Sequence, residues 1–144
     1  MNEYKYIIVP LSTLALCQLI KFIIESFKKG KPDFKRLFNG SGGMPSSHTA
    51  LAVSLTTMFF LNEGPSSPIS AMALVFTMIV AYDGMNVRLE TGKQAKTLNS
   101  LVDKIFNKNK YDKLKEEMGH KPKEVLFGIL LGLTTAIVYT FGIL

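Results

Sequence analysis

Two histidines, His48 and His120, are the side chains of this sequence best suited to nucleophilic or acid–base chemistry. His120 lies in the string Gly119-His120-Lys121-Pro122-Lys123-Glu124, so Glu124 follows one helical turn later on the same face. A carboxylate there can accept a hydrogen bond from one imidazole nitrogen, which makes the other nitrogen a better nucleophile or base. The spacing also fits an ordinary capped helix start, and both interpretations stay open.

His48 belongs to a longer string, Gly42-Gly43-Met44-Pro45-Ser46-Ser47-His48-Thr49-Ala50. Glycines followed by a Ser-Ser helix start present backbone N–H groups and the positive end of the helix dipole, an arrangement that binds phosphate. The string therefore predicts an anion site with His48 beside it. The alternative is a glycine turn needed only to bend the backbone.

The elements that must position these histidines are apolar helices. The 144 residues have a mean hydropathy of +0.21, and residues 44–62, 65–82 and 125–144 carry no charge. Such runs match the roughly 20 apolar residues of a membrane span and exclude disorder for most of the chain. We predict an all-α, polytopic membrane helix bundle of one domain, 1–144, with spans at about 4–27, 45–62, 68–83 and 123–144 and a peripheral segment at 84–122.

The peripheral segment is basic and contains apolar residues at helical spacing. The pattern predicts either an amphipathic helix on the membrane surface or a soluble hairpin that caps the bundle. Its apolar residues are Leu98, Leu101, Val102, Ile105 and Phe106. In the last span, Gly128 and Gly132 permit close helix approach, with packing inside the chain favoured over dimerisation.

Basic residues also predict the orientation. The linker after the first span is basic, whereas the turn after the second span has Glu63 as its only charge. The basic residues of the linker are Lys28, Lys29, Lys31, Lys35 and Arg36. The positive-inside tendency then puts the linker, the peripheral segment and both histidines on the cytoplasmic side of the cell membrane, with both termini outside. Cations that bind an anionic substrate would weaken this inference.

Pro45-Ser46-Ser47-His48 resembles the Pro-Ser-Gly-His motif of the type 2 phosphatidic acid phosphatase (PAP2) superfamily, and His120-xxx-Glu124 resembles its closing His-xxx-Asp motif. Over nearly its full length the chain is more similar to the divergent PAP2 group of small bacterial membrane proteins. The strings that carry this resemblance are Gly42–His48, Tyr82–Arg88, Gly92–Ala95 and Gly119-His120. The resemblance implies a PAP2-like bundle and a hydrolase that uses a histidine nucleophile, no metal and no cofactor.

The resemblance also implies a role for each matching residue. His120 would attack phosphorus and form a phosphohistidine, Glu124 would orient and polarise His120, and His48 would protonate the leaving alkoxide. Backbone amides of the turn and the following helix start would hold the phosphate oxygens. The residues of that cradle would be Gly43, Ser46 and Ser47.

Three cations are candidates for phosphate contact. Lys21 lies inside the first span, where an ionisable residue is a functional candidate; the alternative is snorkelling, since six residues place it only about 9 Å below the helix end. The superfamily's third motif has an Arg six residues before its histidine, and that position is Leu114 here. We expect Arg88 to replace it, because a guanidinium fork suits phosphate. Lys93 is the third candidate.

Further differences from the superfamily are Ser47 in place of Gly, Glu124 in place of Asp, and four spans where membrane members commonly have six helices. A smaller bundle would gain a complete core in a homodimer. The same differences also fit a chain that has lost hydrolytic activity.

We therefore expect an integral-membrane phosphatase, in contact with membrane lipids, that acts on phosphatidylglycerophosphate, phosphatidic acid or a polyprenyl diphosphate. The second hypothesis is a non-catalytic scaffold or regulator that binds lipid phosphate without turnover. A minor one rests on Asp83-Gly84-xx-Val87-Arg88, which resembles part of the motif of metal-dependent CDP-alcohol phosphotransferases. Nucleic-acid binding is not expected, because the basic charge lies beside membrane spans without an aromatic platform.

Overall fold

The computed structural model describes residues 4–32, 42–105 and 111–142, and within these ranges the chain is helical and contains no strand. Only Asn86 interrupts the 38-residue helical segment Pro68–Ile105. The helices, in chain order, are α1 Lys5–Lys29, α2 Ser47–Glu63, α3 Pro68–Met85, α4 Val87–Ile105 and α5 Pro122–Gly142. The predicted all-α class is confirmed.

Glycine and proline fix the ends of the helices. Gly30 ends α1 in the left-handed region with φ 66°, and Lys28 and Lys29 in the last turn complement the negative end of the helix dipole. Gly64, with φ 85°, ends α2, and Pro68 opens α3 at the helix position where its missing N–H costs nothing. The short connection 64–67 makes α2 and α3 neighbours.

The central helix is α2, which packs against α1, α3 and α5. Its closest approach is to α5, where two glycines face its backbone. A Cβ atom added to Gly128 would lie 2.7 Å from the Ser46 carbonyl oxygen, and one added to Gly132 would lie 2.6 Å from the Ala50 carbonyl oxygen. The small-xxx-small pattern therefore serves packing inside the chain, as predicted.

Threonine hydroxyls link the helices where few other polar groups are available. Thr56 Oγ1 and Thr77 Oγ1 are 2.8 Å apart between α2 and α3. Thr13 Oγ1 and Thr135 Oγ1 are also 2.8 Å apart, between α1 and α5. Such interhelical hydrogen bonds replace the hydrophobic driving force that a lipid environment removes.

Three helices are long and apolar enough to cross a membrane: Lys5–Lys29, Pro68–Ile105 and Pro122–Gly142. The predicted span 45–62 corresponds to α2, which has 17 residues and is therefore about 26 Å long. It begins two residues later than predicted, at Ser47, because the N-cap residue Ser46 has an extended backbone with φ −71° and ψ 112°. The four predicted spans are thus three long apolar helices around a shorter, more buried one.

The peripheral segment also differs from its prediction, since helix begins at Val87, eleven residues before Leu98. Residues 87–97 contain many good helix formers and neither Pro nor a run of β-branched residues. The face of α4 that is buried contains Gly92, Ala95 and Asn99, whereas the predicted apolar residues Leu98, Leu101 and Ile105 are exposed. Phe106, Lys35 and Arg36 lie outside the described residues.

Candidate active site

An irregular segment, residues 111–121, runs along α4 and brings His120 to the end of α3; we call it the strap. Asn99 of α4 fixes its first part through the main chain of Leu114. Asn99 Nδ2 donates to the Leu114 carbonyl oxygen at 2.8 Å, and the Leu114 N–H donates to Asn99 Oδ1 at 2.9 Å. Asn99 Nδ2 also donates to Glu116 Oε1 at 2.9 Å. One buried amide thus holds three groups of the strap.

Glycines allow the rest of the strap to lie against the helices. A Cβ atom on Gly92 would be 2.6 Å from the Glu116 carbonyl oxygen. Gly119, with φ 77°, passes so close to α4 that its Cβ atom would be 2.3 Å from the Leu89 nitrogen. The His120 N–H then donates to the Gly84 carbonyl oxygen at 2.9 Å. The backbone of His120 is therefore fixed to the end of α3.

His120 is bonded to Glu124, as the sequence predicts. Its Nδ1 lies 3.1 Å from Glu124 Oε2, and the imidazole is 95% buried because only 5% of the side chain is exposed. The same carboxylate oxygen accepts the Lys121 N–H at 3.1 Å, which caps the start of α5. One carboxylate therefore both contacts the His120 imidazole and caps the helix start.

Burial lowers the pKa of His120 below its ordinary value. The hydrogen bond to Glu124, which is the next largest effect, raises this pKa, whereas the positive charge of Lys21 lowers it. The negative charge of Glu124 and a hydrogen bond to the Gly43 backbone also raise it, by smaller amounts. Because the net effect lowers the pKa, the imidazole is neutral at pH 7. With Nδ1 facing Glu124, Nε2 is the nitrogen that can attack an electrophile.

The start of α2 lies against the start of α5. The Ser46 N–H donates to the Glu124 carbonyl oxygen at 2.9 Å, and the Ser46 and Thr49 hydroxyls are 2.9 Å apart. The expectation that the Ser46 amide holds a phosphate oxygen is therefore corrected, because a backbone carbonyl already occupies it. The N–H groups of Ser47, His48 and Thr49 form the first turn of α2, whose donors have no acceptor within the helix.

Lys21 is fully buried, so it does not snorkel. Its Nζ donates to the Gly42 carbonyl oxygen at 3.2 Å and to Ser47 Oγ at 3.3 Å. These contacts tie the glycine turn to α1 and to the start of α2. Lys21 therefore lies behind Ser47 and contributes positive charge to the histidines without lining the cavity described next.

A cavity of about 320 Å³ contains both histidines. His48, Ser46, Arg88 and Asp83 line its polar side together with His120. The apolar part of the lining belongs to α2 and α3, and we call it the apolar wall. Its side chains are Leu51, Ala52, Phe76, Ile79 and Val80. The cavity thus joins a polar end with two imidazoles and a guanidinium to an apolar wall.

Arg88, at the start of α4, lines this cavity, and its role in place of the third-motif Arg stays a prediction. Its Nε pairs with Asp83 Oδ2 at 2.5 Å. Asp83, left ambiguous by the sequence, therefore is both a helix-end ion-pair partner and a lining residue. Among the described residues, no three His, Cys, Asp or Glu side chains form a group that could hold a metal ion.

The two remaining predicted residues differ in placement. Gly43 lies beside the site, with φ 81° and a backbone hydrogen bond to the His120 ring. Lys93 is exposed on α4, pairs with Glu90 at 2.6 Å and does not line the cavity. The prediction that Lys93 binds phosphate is not supported by this geometry, because α4 turns its Gly92 face, rather than Lys93, toward the strap.

Sequence reasoning missed Asn99 and the apolar wall. The available signal was an asparagine seven residues after Gly92 and four after Ala95, a spacing that puts all three on one face of an amphipathic helix. The apolar wall had no distinct signal, since every predicted span is apolar. Only the packing of α3 on α2 selects which apolar residues border the histidines.

Comparison with known proteins gives two matches. A family model described as "Divergent PAP2 family" matches residues 2–135. A protein of Bacillus subtilis (strain 168), "Uncharacterized membrane protein YuiD", is 35% identical over an alignment that covers 91% of this chain and 90% of the relative. No solved structure matches at a significant level. The relative and the three apolar helices together indicate a membrane protein.

Proposed function

Because the chain belongs to the divergent PAP2 family, we propose that it is an integral-membrane phosphatase that hydrolyses a lipid phosphomonoester or diphosphate. One observation carries the proposal: His48 and His120 line one cavity, and His120 is buried and bonded to a carboxylate. A nucleophile, an orienting group and a second imidazole are the minimum set for phosphoryl transfer through a covalent intermediate.

In the first step, Nε2 of His120 attacks phosphorus, an N–P bond forms, and the P–O bond to the lipid breaks. The imidazole gains positive charge during this step, and the Glu124 carboxylate at 3.1 Å stabilises it. His48, in its protonated form, gives its proton to the leaving alkoxide or phosphate. Such a proton transfer contributes roughly 10²- to 10⁴-fold in rate.

In the second step, water attacks the phosphohistidine, the N–P bond breaks, and inorganic phosphate leaves. His48, now neutral, accepts a proton from the attacking water, which returns both histidines to their starting states. The products are inorganic phosphate and the lipid alcohol, or inorganic phosphate and the lipid monophosphate when the substrate is a diphosphate. No electron is transferred in either step.

The phosphate oxygens need donors other than the Ser46 amide. Arg88 lines the cavity and supplies a guanidinium that matches two phosphate oxygens. The N–H groups in the first turn of α2, which have no acceptor within the helix, and the positive end of the helix dipole would supply the rest. Lys21, held behind Ser47, adds positive charge that favours a bound anion.

The apolar wall supports a lipid substrate over a water-soluble phosphate ester. Phe76 and Ile79 of α3 line the cavity and are still exposed by 53% and 61%. Both belong to a helix that is apolar enough to cross a membrane, so they border the cavity and the bilayer together. A hydrocarbon chain can therefore lie between α2 and α3 while its phosphate meets the histidines.

The basic linker and α4 support a cytoplasmic active site. That orientation suits phosphatidylglycerophosphate or phosphatidic acid, whereas recycled polyprenyl diphosphate would need an outward-facing site. Single cysteines at Lys31 and Asn62, at opposite ends of the bundle, test the side, because the native Cys17 is buried. We expect a membrane-impermeant maleimide to label Asn62→Cys on intact cells; labelling of Lys31→Cys there would reverse the orientation. Ser41, another suitable position, lies outside the described residues.

Phosphate release by detergent-purified protein tests the function itself. The panel contains phosphatidylglycerophosphate, phosphatidic acid, a polyprenyl diphosphate and a short water-soluble monoester, each with and without excess EDTA. We expect release from a lipid substrate that EDTA does not abolish and that His120→Ala and His48→Ala reduce strongly. Wild-type release no faster than that of His120→Ala on every substrate would refute the proposal. Binding to vesicles containing lipid phosphate without turnover would instead support the scaffold hypothesis, and EDTA-sensitive activity would support the metal-dependent one.

A further inference from the structure

Asn99 is a buried polar side chain that has no role in the chemical steps proposed above. It is 7% exposed and faces the strap from α4, fifteen residues before Leu114 in the chain. Its amide makes three hydrogen bonds of 2.8 to 2.9 Å, two to the Leu114 main chain and one to Glu116. A buried amide whose oxygen accepts a main-chain N–H and whose nitrogen donates to a main-chain carbonyl holds an irregular segment in place, as the backbone of a neighbouring strand does in a sheet.

Asn99 is bonded to the main chain of residue 114, the position where the resemblance leads us to expect an arginine. Here the residue is Leu114, which is 49% exposed, and its backbone rather than its side chain is engaged. Six residues later the strap delivers His120, whose N–H donates to the Gly84 carbonyl oxygen. The strap makes no regular helix or strand between residues 111 and 119, so no ladder of backbone bonds holds it.

We propose that Asn99 is the positioning residue of this active site: it fixes the strap on α4 and thereby sets the depth and direction of the His120 imidazole. The expected effect on kcat rests on the proposed function, whereas the expected effect on the position and pKa of His120 does not. Asn99 touches neither the substrate nor the reacting atoms. It acts through Leu114, Glu116 and the Gly119 turn, which is packed against Leu89 too closely for any Cβ atom.

Loosening the strap has a defined effect on His120. The imidazole would become more exposed, and the burial that lowers its pKa would be reduced. It would also leave the attack geometry, and a misplacement of about 1 Å costs a reaction about 100-fold. Substrate binding by Arg88 and by the start of α2 would change little, because neither belongs to the strap. Charged and titratable groups that face the imidazole from the surrounding elements are Glu124, Lys21, His48, Asp83 and Arg88.

The variants are Asn99→Ala and a matched control, Asn62→Ala. Asn62 is also an asparagine that links two segments, since its Nδ2 donates to the Met58 carbonyl oxygen at 2.7 Å and its Oδ1 accepts from Lys5. It lies at the end of α2 away from the histidines, so it reports general loss of stability. A second pair, Asn99→Asp and Asn99→Asp with Glu116→Gln, tests the contact itself. The aspartate repels Glu116, whereas a glutamine at position 116 can donate to it.

Two measurements separate the proposal from the proposed function. Imidazole NMR titration of the full chain in detergent, with only two histidines to assign, gives the His120 pKa whether or not the protein is active. Steady-state kinetics on the lipid that wild type hydrolyses gives kcat and KM. We expect Asn99→Ala to raise the His120 pKa toward its ordinary value and to lower kcat by about 10- to 100-fold with KM within about threefold. The charge-matched double variant should recover part of both losses seen in Asn99→Asp.

An unchanged His120 pKa in Asn99→Ala would overturn the proposal, as would an equal change in Asn62→Ala. If wild type shows no His120-dependent hydrolysis, the proposed function fails, and the titration still decides the role of Asn99. If hydrolysis is present and Asn99→Ala behaves as Asn62→Ala does, the proposed function stands and the positioning role fails.

Discussion

Replacing Glu124 by glutamine separates its two structural roles. Its carboxylate faces His120 Nδ1 at 3.1 Å and also accepts the Lys121 N–H at 3.1 Å. Glutamine keeps an oxygen for the N–H and a capping geometry that is common at this helix position. In the proposed mechanism it loses the negative charge that would stabilise the imidazolium formed when His120 attacks. Glu124→Gln should therefore impair chemistry and leave folding nearly intact.

The size of the effect follows from the contact. The Glu124 side chain is 21% exposed and the His120 side chain 5%, so solvent screens their interaction weakly. Hydrogen bonds to charged groups in such surroundings are worth about 1.5–3 kcal/mol. Since about 1.36 kcal/mol changes a rate tenfold, Glu124→Gln should lower kcat about 10- to 150-fold. Glu124→Ala should lose as much activity and, in addition, about 1 kcal/mol of stability through the lost cap.

The assay is single-turnover phosphate release with purified protein, accompanied by thermal unfolding in the same detergent. The pH profile of the rate also gives a direction that can be tested. Because Glu124 raises the pKa of His120, its neutralisation lowers that pKa further, and the acid limb of the profile should move to lower pH. A Glu124→Gln rate within threefold of wild type, or an acid limb that moves to higher pH, would refute the assignment of Glu124 as the partner of the nucleophile.

Three further predictions concern stability and the substrate. The pKa of His120 is lowered in the folded state, so below about pH 6.5 the unfolded chain binds more protons and the free energy of unfolding must fall as pH decreases. Thermal unfolding of His120→Asn should therefore depend on pH less steeply than that of wild type. An equally steep dependence would contradict the lowered pKa of His120. Gly132→Ala places a Cβ atom 2.6 Å from the Ala50 carbonyl oxygen and should cost about 1–3 kcal/mol, whereas Gly142→Ala, whose nearest contact would be 3.7 Å away, should leave thermal unfolding unchanged. Phe76→Ala should raise KM for the lipid several-fold and leave hydrolysis of a short water-soluble monoester unaffected; equal effects on the two substrates would mean that the α3 wall does not hold the chain.

Much of the fold was predictable because charge and apolar character are segregated along this chain. Residues 65–82 and 125–144 carry no charge, and in each run a helix of membrane-spanning character is found. The helix ends at Gly30 and Gly64 were predictable as well, since glycine and neighbouring basic or proline residues stop helices for local reasons. The second span was harder, because Pro45 fits either the first turn of a helix or, as here, a cis peptide before it.

The site was predictable where its geometry is local. His120 and Glu124 are one helical turn apart, so the sequence by itself determined their contact, and the Gly-Gly-Met-Pro-Ser-Ser string determined that a helix start stands beside His48. Contacts between distant residues were not determined in this way. Lys93 and Arg88 are both basic residues of the same helix, and the sequence has no means to tell that only Arg88 faces the cavity.

Tertiary structure decided how the two histidines meet. Gly128 and Gly132 let α5 approach α2 until the Glu124 carbonyl takes the Ser46 amide, which brings the two motifs together and removes one expected phosphate donor. Asn99 and Gly119 decided where the strap runs and so how deeply His120 is buried. These contacts join residues that lie up to 82 positions apart. Periodicity along the chain shows which face of a helix is apolar. Which element packs against that face is decided only when the whole chain folds.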